Sequence, residues 1–218
     1  MTLELRELSV RFRGQPPLFP PLTLTIPSGE VGTVMGPSGV GKSTLLDAVG
    51  GHLAHGFSAS GQVRLNGQSL DGVPAEARRI GLMFQDAVLF PHLSVGDNLA
   101  FGLGRHVRGR ASRADAVARA LEQAGLSGME RRDPATLSGG QRARIALMRT
   151  LLAEPLALLL DEPFSKLDSA LRAEMRNFTY RHIRERGIPA LLVTHDPQDA
   201  TSASGPLIQL GEPTDDPA

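Results

Sequence analysis

The 218-residue sequence predicts an α/β fold in which a mostly parallel sheet is interrupted by an inserted helical subdomain. Three observations support this prediction. Short apolar runs alternate with loops and helical patterns at both ends of the chain, and helical spacing dominates the middle, residues 87–155. Polar residues also follow four of the predicted strands, and ligands bind at this carboxyl edge of parallel sheets.

The N-terminal part of the chain predicts antiparallel strands. Apolar and polar residues broadly alternate over residues 3–12 and again over residues 22–26, as they do in half-buried strands. Residues 63–65 run into Asn66-Gly67, which is a strong hairpin signal. We expect these elements to form antiparallel β structure ahead of the parallel sheet.

The remaining elements follow in chain order. An apolar strand at Val31–Met35 leads into a glycine-rich loop. Ser94 with Asp97, and Ser112 with Asp115, have the spacing of capping boxes and predict helix starts. Further strands are predicted at residues 80–84, 156–160 and 190–194, and further helices at residues 141–153 and 169–186.

These elements define the expected domain organisation. We expect a single domain over residues 1–218, with residues 1–86 and 156–210 forming its sheet-containing core. Residues 87–155 would form the helical subdomain. The segment 211–218, rich in Pro and Asp, is expected to be a frayed tail.

The composition is that of an ordinary globular protein, with 41% hydrophobic and 21% charged residues. The formal net charge is zero, so we expect no nucleic-acid partner. The chain has no cysteine, which excludes disulfides and thiolate metal sites. The apolar stretch at residues 156–160 is far short of the ~20 residues of a membrane span, and the N-terminus carries acids where a signal peptide is apolar. A cytoplasmic chain is therefore expected, and any membrane-spanning part would belong to another chain.

A Walker A pattern follows the strand at Val31–Met35. Its glycines let backbone N–H groups close around phosphate oxygens, and a helix expected from Ser43 onward directs its positive end at them. Lys42, expected in an exposed loop, would reach the β- and γ-phosphates, and the Ser43 hydroxyl would hold Mg²⁺. The pattern favours phosphate binding over an accidental glycine-rich turn. Its residues are Gly36, Pro37, Ser38, Gly39, Val40, Gly41, Lys42, Ser43 and Thr44.

The run Leu158-Leu159-Leu160-Asp161-Glu162-Pro163 reads as Walker B. Asp161 would bind Mg²⁺ directly or through water, and Glu162 would polarise the attacking water. An Asp-Glu pair after a strand is by itself as often a solvated turn. Together with Walker A, the pair indicates a catalytic site.

The run Leu137-Ser138-Gly139-Gly140-Gln141 opens a predicted helix. Glycines after a serine at a helix start provide free N–H groups, a dipole and a hydroxyl, which together can bind an anion. Simple N-capping by Ser138 is the alternative. Capping explains the serine but not Gly139-Gly140, which weaken the first turn of a helix.

These three motifs resemble those of the ATP-binding-cassette family, and the likeness extends over about residues 3–200 in the family's motif order. The resemblance implies an ATPase with a P-loop NTPase (RecA-like) core that uses ATP and Mg²⁺. It also implies an ATP-dependent, head-to-tail homodimer. In that dimer Ser138, Gly139, Gly140 and Gln141 would complete the site of the partner subunit.

Four further residues take their expected roles from the resemblance alone. Phe12 matches the aromatic position that stacks on adenine, and Gln85 matches the residue that links the Mg²⁺ site to the membrane partner. Asp168 matches the aspartate of the loop after Walker B, and His195 matches the histidine that contacts the γ-phosphate. The family commonly has a small residue where Lys166 stands. The expected catalytic residues are then Lys42, Gln85, Glu162 and His195, and the expected Mg²⁺ ligands are Ser43, Gln85 and Asp161.

Residues 90–95 and 98–101 are similar to the importer branch that takes up thiamine, ferric iron, molybdate and polyamines, and the short chain resembles its thiamine and ferric-iron ATPases. This implies membrane permease subunits, a periplasmic or extracellular solute-binding protein, and a peripheral position on the inner face of the membrane. A soluble ATPase of DNA repair or chromosome maintenance is an alternative, although the middle segment is short for a coiled-coil insertion. An export or lipoprotein-release ATPase is another alternative.

Overall fold

The computed structural model describes residues 1–211, and the chain divides into two units. The first unit contains residues 1–82, 156–162 and 180 onward, and the second contains residues 83–155 and 163–179. Except for Gly211, the expected frayed tail lies outside the described residues. No helix within residues 1–211 combines the length and the apolar character needed to cross a bilayer.

An antiparallel sheet forms one part of the first unit. Its strands are β1 (Thr2–Phe12), β2 (Leu22–Pro27), β4 (Phe57–Leu65) and β5 (Gln68–Ser69), in the order β2-β1-β4-β5. The predicted hairpin after β4 is confirmed, because both Asn66 and Gly67 have positive φ. This sheet is the antiparallel β structure expected from the N-terminal alternation.

A bulge interrupts the alternation of β1. The pairing of β1 with both neighbouring strands shifts register between Leu5 and Ser9. At the bulge, a Cβ on Gly61 would lie only 2.2 Å from the carbonyl oxygen of Glu7, so only glycine fits at position 61.

A parallel sheet forms the rest of the first unit and positions the site. Its order is β6 (Ile80–Met83), β7 (Ala157–Asp161), β8 (Ala190–Thr194), β3 (Val31–Met35) and β9 (Leu207–Gln209). Strands β3, β7 and β8 are nearly continuous apolar runs because they are buried on both faces. The mostly parallel sheet predicted from the sequence is therefore confirmed.

Several predicted boundaries need correction. Strand β6 ends at Met83, and Phe84, expected within a buried strand, is 56% exposed. The helix α6 (Pro197–Ser202) and the strand β9 were missed. The helix after the glycine-rich loop, α1, spans Lys42–Gly50 and so begins one residue earlier than expected.

The second unit is helical. It contains α2 (Val95–Gly102), α3 (Arg110–Gln123), α4 (Gly139–Leu152) and residues 169–179 of α5 (Ser169–Arg186). Apolar residues from three of these helices are fully buried in its core: Leu99, Leu121, Ile145, Leu147, Met148 and Leu151.

One of the two capping boxes predicted in this unit is correct. Ser94 caps α2, accepting the Asp97 N–H at 3.1 Å. The capping box predicted at Ser112 is wrong, because α3 begins at Arg110 after Gly109, whose φ is 84°. Arg113, in the first turn of α3, also donates to backbone carbonyls of the preceding segment and fixes this earlier start.

Candidate functional site

The carboxyl edge of the parallel sheet gathers polar residues of the first unit. The register pairs Met35 of β3 with Thr194 of β8, and Asp161 of β7 with Val193. The three strands therefore end side by side. The residues that follow them, from Gly36, Glu162 and His195 onward, emerge at this same edge.

The glycine-rich loop leads into α1 through a left-handed turn. Gly39 and Gly41 have φ values of 85° and 98°, and Gly41 is the N-cap residue of α1. A Cβ on Gly41 would crowd side-chain atoms of Leu18 and Phe19 at 3.2 Å, and the positive φ would strain any other residue there. No side chain caps α1, and its first amide groups keep their partial positive charge for an anion.

Lys42 is buried rather than placed in an exposed loop. Its side chain is 5% exposed, and its Nζ donates to the carbonyl oxygens of Gly36 and Pro37 at 2.9 Å each. The same ammonium lies 3.5 Å from Glu162 Oε1. Lys42 therefore lies inside the loop and bridges it to the carboxylate after β7.

Ser43 and Asp161 form a pair of oxygen ligands. The Ser43 hydroxyl donates to Asp161 Oδ1 at 3.1 Å. Burial raises the pKa of Asp161, and the hydrogen bond from Ser43 opposes this shift. Within residues 1–211 there is no group of three or more His, Cys, Asp or Glu arranged for a metal. One hydroxyl and one carboxylate suit Mg²⁺, which commonly takes its other ligands from water and substrate phosphates.

Glu162 has an unusual backbone conformation, and its carboxylate lies between the side chains of Lys42 and His195. Its φ is 44°, although it is not glycine, and its N–H donates to the Val193 carbonyl at 3.0 Å. Its Oε1 faces Lys42, and its Oε2 lies 3.0 Å from Nδ1 of His195. A left-handed non-glycine residue costs about 1–3 kcal/mol, and such strain clusters at functional sites.

Phe12 lies at the end of β1 and is 44% exposed. Its ring packs edge-on against Phe57, with centroids 5.0 Å apart, and a Cβ on Gly56 would meet the ring at 2.6 Å. Phe12 therefore packs against Phe57 and Gly56 on one side and is open to solvent on the other, whereas a core aromatic residue would be buried on all sides.

Thr194 was not singled out from the sequence, yet it belongs to this group. Its carbonyl accepts the Gly36 N–H at 3.3 Å, and its hydroxyl accepts the Asp196 N–H at 3.0 Å. The available signal was a polar residue that ends an otherwise apolar strand directly before His195.

The second unit contains the Ser138–Gln141 turn. Ser138 caps α4 in a full capping box, accepting the Gln141 N–H at 3.2 Å while its own N–H donates to Gln141 Oε1 at 2.9 Å. A Cβ on Gly140 would lie 2.4 Å from Leu171, so packing accounts for this glycine. The Gly139 position is open, with its nearest neighbour at 3.8 Å. Capping and packing together leave only Gly139 without a structural reason.

Gln85 and Asp168 also lie in the second unit. Gln85 is exposed in a bend after β6. Asp168 accepts the Leu171 N–H at 3.0 Å and so caps the start of α5. Lys166 forms an exposed ion pair with Asp86. The structure thus brings together Lys42, Ser43, Asp161, Glu162 and His195 in the first unit, and it contains Gln85, Ser138–Gln141 and Asp168 in the second.

Comparison with known proteins identifies the family. The sequence model described as ABC transporter matches residues 19–165. The chain belongs to this family. Its fold is the P-loop fold of these proteins, and its activity is the hydrolysis of ATP coupled to transport.

Individual relatives agree with this assignment. The chain is 51% identical over 186 residues to YnjD of Escherichia coli (strain K12), named an uncharacterized ABC transporter ATP-binding protein, covering 85% of each chain. It is 44% identical to the thiamine import ATP-binding protein ThiQ of Jannaschia sp. (strain CCS1), covering 81% of this chain and 76% of that protein.

The solved structure of cbiO1 from Clostridium perfringens, described as part of the ABC transporter complex cbiONQ, superposes with a TM-score of 0.84 at 28% identity and covers 96% of this chain and 84% of that one. Other relatives are longer. The chain spans only 60–62% of the length of import ATP-binding proteins named for spermidine/putrescine, sulfate/thiosulfate and ferric ions.

Proposed function

We propose that the chain hydrolyses ATP at the carboxyl edge of the parallel sheet, with Glu162 orienting the attacking water. The observation that carries this proposal is the placement of Glu162 at a strained backbone position, with one oxygen facing Lys42 and the other facing His195. A carboxylate fixed in this way can accept a proton from water as the water oxygen attacks the γ-phosphorus and ADP leaves.

The other residues of the first unit bind the triphosphate in this proposal. The uncapped amide groups of α1 and the Lys42 ammonium hold the β- and γ-phosphates. Ser43 and Asp161 would hold Mg²⁺, which supplies charge neutralisation at the phosphate oxygens when bound. Phe12 stacks under the adenine through its exposed face, and His195 contacts the γ-phosphate.

Substitution of Glu162 by Gln tests the proposal, because it keeps the shape of the side chain and removes its charge. We expect the kcat of MgATP hydrolysis to fall at least about 10²-fold, with MgATP still bound. Glu122→Gln, an exposed position on α3, is the matched control and retains wild-type kcat. Normal turnover by folded Glu162→Gln would contradict the proposal.

We further propose that two chains form a head-to-tail dimer in the presence of ATP and share each site. In this dimer the Ser138–Gln141 turn of one subunit faces the nucleotide of the other. The open Gly139 position, which neither capping nor packing requires, supports this role. Gln85 would link the Mg²⁺ site to the membrane partner, and Asp168 would lie at the dimer seam.

The absence of cysteine from the chain allows a clean crosslinking test. Ser38→Cys and Ser138→Cys are introduced into separately tagged chains that also carry Glu162→Gln. With MgATP and a bifunctional thiol reagent, a covalent dimer with both tags is expected. Ser112→Cys on α3 replaces Ser138→Cys in the control. Crosslinking that does not depend on ATP would contradict a shared site.

The transport partner is proposed to be an integral membrane permease of a small-solute importer, served by a solute-binding protein and contacted at the inner face of the membrane. Relatives named as import proteins support this direction of transport. Three large apolar side chains of the second unit, Phe84, Val88 and Phe101, are 56–67% exposed and offer an apolar docking surface.

The segment Phe90–Ser94, which lies between Val88 and Phe101 in the chain, is held by hydrogen bonds from one buried side chain. Asn98 is fully buried, and its amide donates to the carbonyls of Phe90, Leu93 and Ser94. Co-expression with a permease gene from the same genomic neighbourhood tests docking. The permease is expected to co-purify with the wild-type chain and not with Phe101→Glu, whereas Glu122→Gln behaves as wild type. Equal recovery with Phe101→Glu would contradict this surface.

A further inference from the structure

The turn that carries His195 is organised by the hydroxyl group of Thr194, which forms two hydrogen bonds. Thr194, directly before His195, places its Oγ1 where it accepts the N–H of Asp196, directly after His195, at 3.0 Å. The same Oγ1 donates to Oδ2 of Asp199 at 3.3 Å. Thr194 is 2% exposed, so this hydroxyl has little access to water. The Thr194 hydroxyl therefore points its hydrogen at the Asp199 carboxyl group.

Asp199 is an uncommon residue for this position. It lies on the short helix α6 and is 2% exposed, and carboxyl groups are rarely buried without a specific partner. Its backbone carbonyl accepts the Tyr180 hydroxyl at 2.9 Å, which ties α6 to α5 within the first unit. Asp196 caps α6 by accepting the Gln198 N–H at 2.8 Å. These two contacts hold α6 in place, and the Asp199 carboxyl group on this helix accepts the Thr194 hydroxyl.

We propose that Asp199 is a positioning residue for ATP hydrolysis, acting through the Thr194 hydroxyl to hold the His195 ring 3.0 Å from Glu162. The proposal rests on the role given above to Glu162 and His195. Thr194 also accepts the Gly36 N–H through its carbonyl, so a shift of this turn reaches the start of the phosphate loop.

A purely structural role for Asp199 makes a different prediction. A buried hydrogen bond can stabilise the packing of α6 without affecting turnover. The two roles separate in the kinetics, because a positioning residue changes kcat through His195 and loses its effect when His195 is absent.

The test measures kcat and KM for MgATP in the full chain carrying Asp199→Ala, Asp199→Asn or Thr194→Val. For Asp199→Ala and Thr194→Val we expect kcat to fall about tenfold with KM nearly unchanged, since a small misplacement near the reacting atoms is costly. Asp199→Asn retains an oxygen that accepts the Thr194 hydroxyl and is expected to restore most of kcat. Asp115→Ala, at an exposed position on α3, is the control and keeps wild-type kcat.

The deciding comparison adds Asp199→Ala to His195→Ala. No further loss of kcat beyond about twofold in the double variant supports the inference. Equal losses in both backgrounds, wild-type kcat in Asp199→Ala, or Asp199→Asn no better than Asp199→Ala would overturn it. Should Asp199→Ala not fold, Thr194→Val with and without His195→Ala decides in the same way. If His195→Ala itself leaves kcat unchanged, the proposed role of His195 fails and the inference fails with it.

Discussion

Helix α1 follows a glycine-containing turn and α4 begins with two glycines, but the first amide groups of the two helices meet different partners. Gly41 precedes α1 in a left-handed conformation, and no side chain accepts a hydrogen bond from the first turn. Ser138 precedes α4 in an extended conformation and forms a reciprocal capping box with Gln141. The first residue of α1 is Lys42, whose ammonium group is buried, whereas the first residue of α4 is a glycine.

The difference shows that similar sequence patterns prepare anion binding in different ways. The uncapped start of α1 keeps all its amide donors and adds the charge of Lys42, so it can hold a phosphate group with residues of its own unit. The capped start of α4 has already satisfied one of its donors through Ser138. A phosphate group at α4 would meet only the remaining amides, which fits a turn that completes a site rather than forms one.

The strongest test of this comparison removes the charge at α1. Lys42→Met keeps the length of the side chain but loses the ammonium, and we expect MgATP binding to weaken about 10- to 100-fold, because hydrogen bonds from charged groups contribute about 1.5–3 kcal/mol each. Isothermal titration calorimetry on the isolated chain measures the change.

Lys166→Met is the matched control, since Lys166 is the other lysine of the chain and its ion pair with Asp86 is exposed. The control is expected to bind MgATP as the wild type does. Because Lys42 is buried, circular dichroism and thermal unfolding must first show that Lys42→Met is folded. Undiminished affinity in the folded variant would remove the distinction drawn between α1 and α4.

The burial of Lys42 also illustrates what the sequence leaves open. The Walker A pattern predicts phosphate binding, but the exposure of Lys42 depends on the carbonyls of Gly36 and Pro37 and on Glu162, which is far away in the chain. Local patterns reveal nothing about such a long-range contact. In the second unit, the glycine of α4 that packs against Leu171 was equally unpredictable from helix propensity.

The strands of the fold show the same difference: some were predictable from local sequence, and others depend on long-range pairing. Strands at Val31–Met35 and Ala190–Thr194 were predictable because each is a short, mainly apolar run between loop signals. Strand β9 has only three residues and partly exposed side chains, and it exists because it pairs in parallel with β3. A three-residue segment has no period to recognise, so its position follows only from the completed sheet.

A second test separates the two glycines of α4. Gly139→Ala adds a methyl group at an open position, and we expect the free energy of unfolding to rise by up to about 1 kcal/mol because alanine favours helix over glycine. Turnover is nevertheless expected to fall about tenfold, because the methyl group obstructs the approach of a phosphate to the amides. Urea unfolding and steady-state ATP hydrolysis provide the two measurements.

Gly140→Ala is the matched comparison for this glycine. Its methyl group would lie 2.4 Å from Leu171, so that side chain must move and the gain from helix propensity is offset. We therefore expect Gly140→Ala to be less stable than Gly139→Ala. Both variants should retain the MgATP affinity of the isolated chain. A stabilised Gly139→Ala with full turnover would make the turn a simple helix cap.

The smallest expected effect concerns the opposite end of α1, where the comparison with α4 extends to the last turn. Helix α4 has Arg149 in its last turn, whereas α1 has Asp47 there, and a carboxylate near the negative end of a helix is unfavourable. Burial raises the pKa of Asp47, and His52 opposes this shift. A raised pKa means that the folded chain binds this proton more tightly than the unfolded chain does. Ionisation of Asp47 therefore destabilises the fold. This destabilisation is fully present at pH values above the pKa of the folded chain and is absent at pH values below the pKa of the unfolded chain.

Asp47→Asn removes this destabilisation, and we expect it to raise the free energy of unfolding at about pH 7 by a few tenths of a kcal/mol, because the group is partly solvated. The gain should disappear at about pH 3, where the carboxyl group is protonated in both states. Urea unfolding at the two pH values measures it, with Asp115→Asn on the exposed face of α3 as control. A gain of equal size at both pH values would show that the packing of the amide, and not the charge of Asp47 at the end of α1, sets the difference.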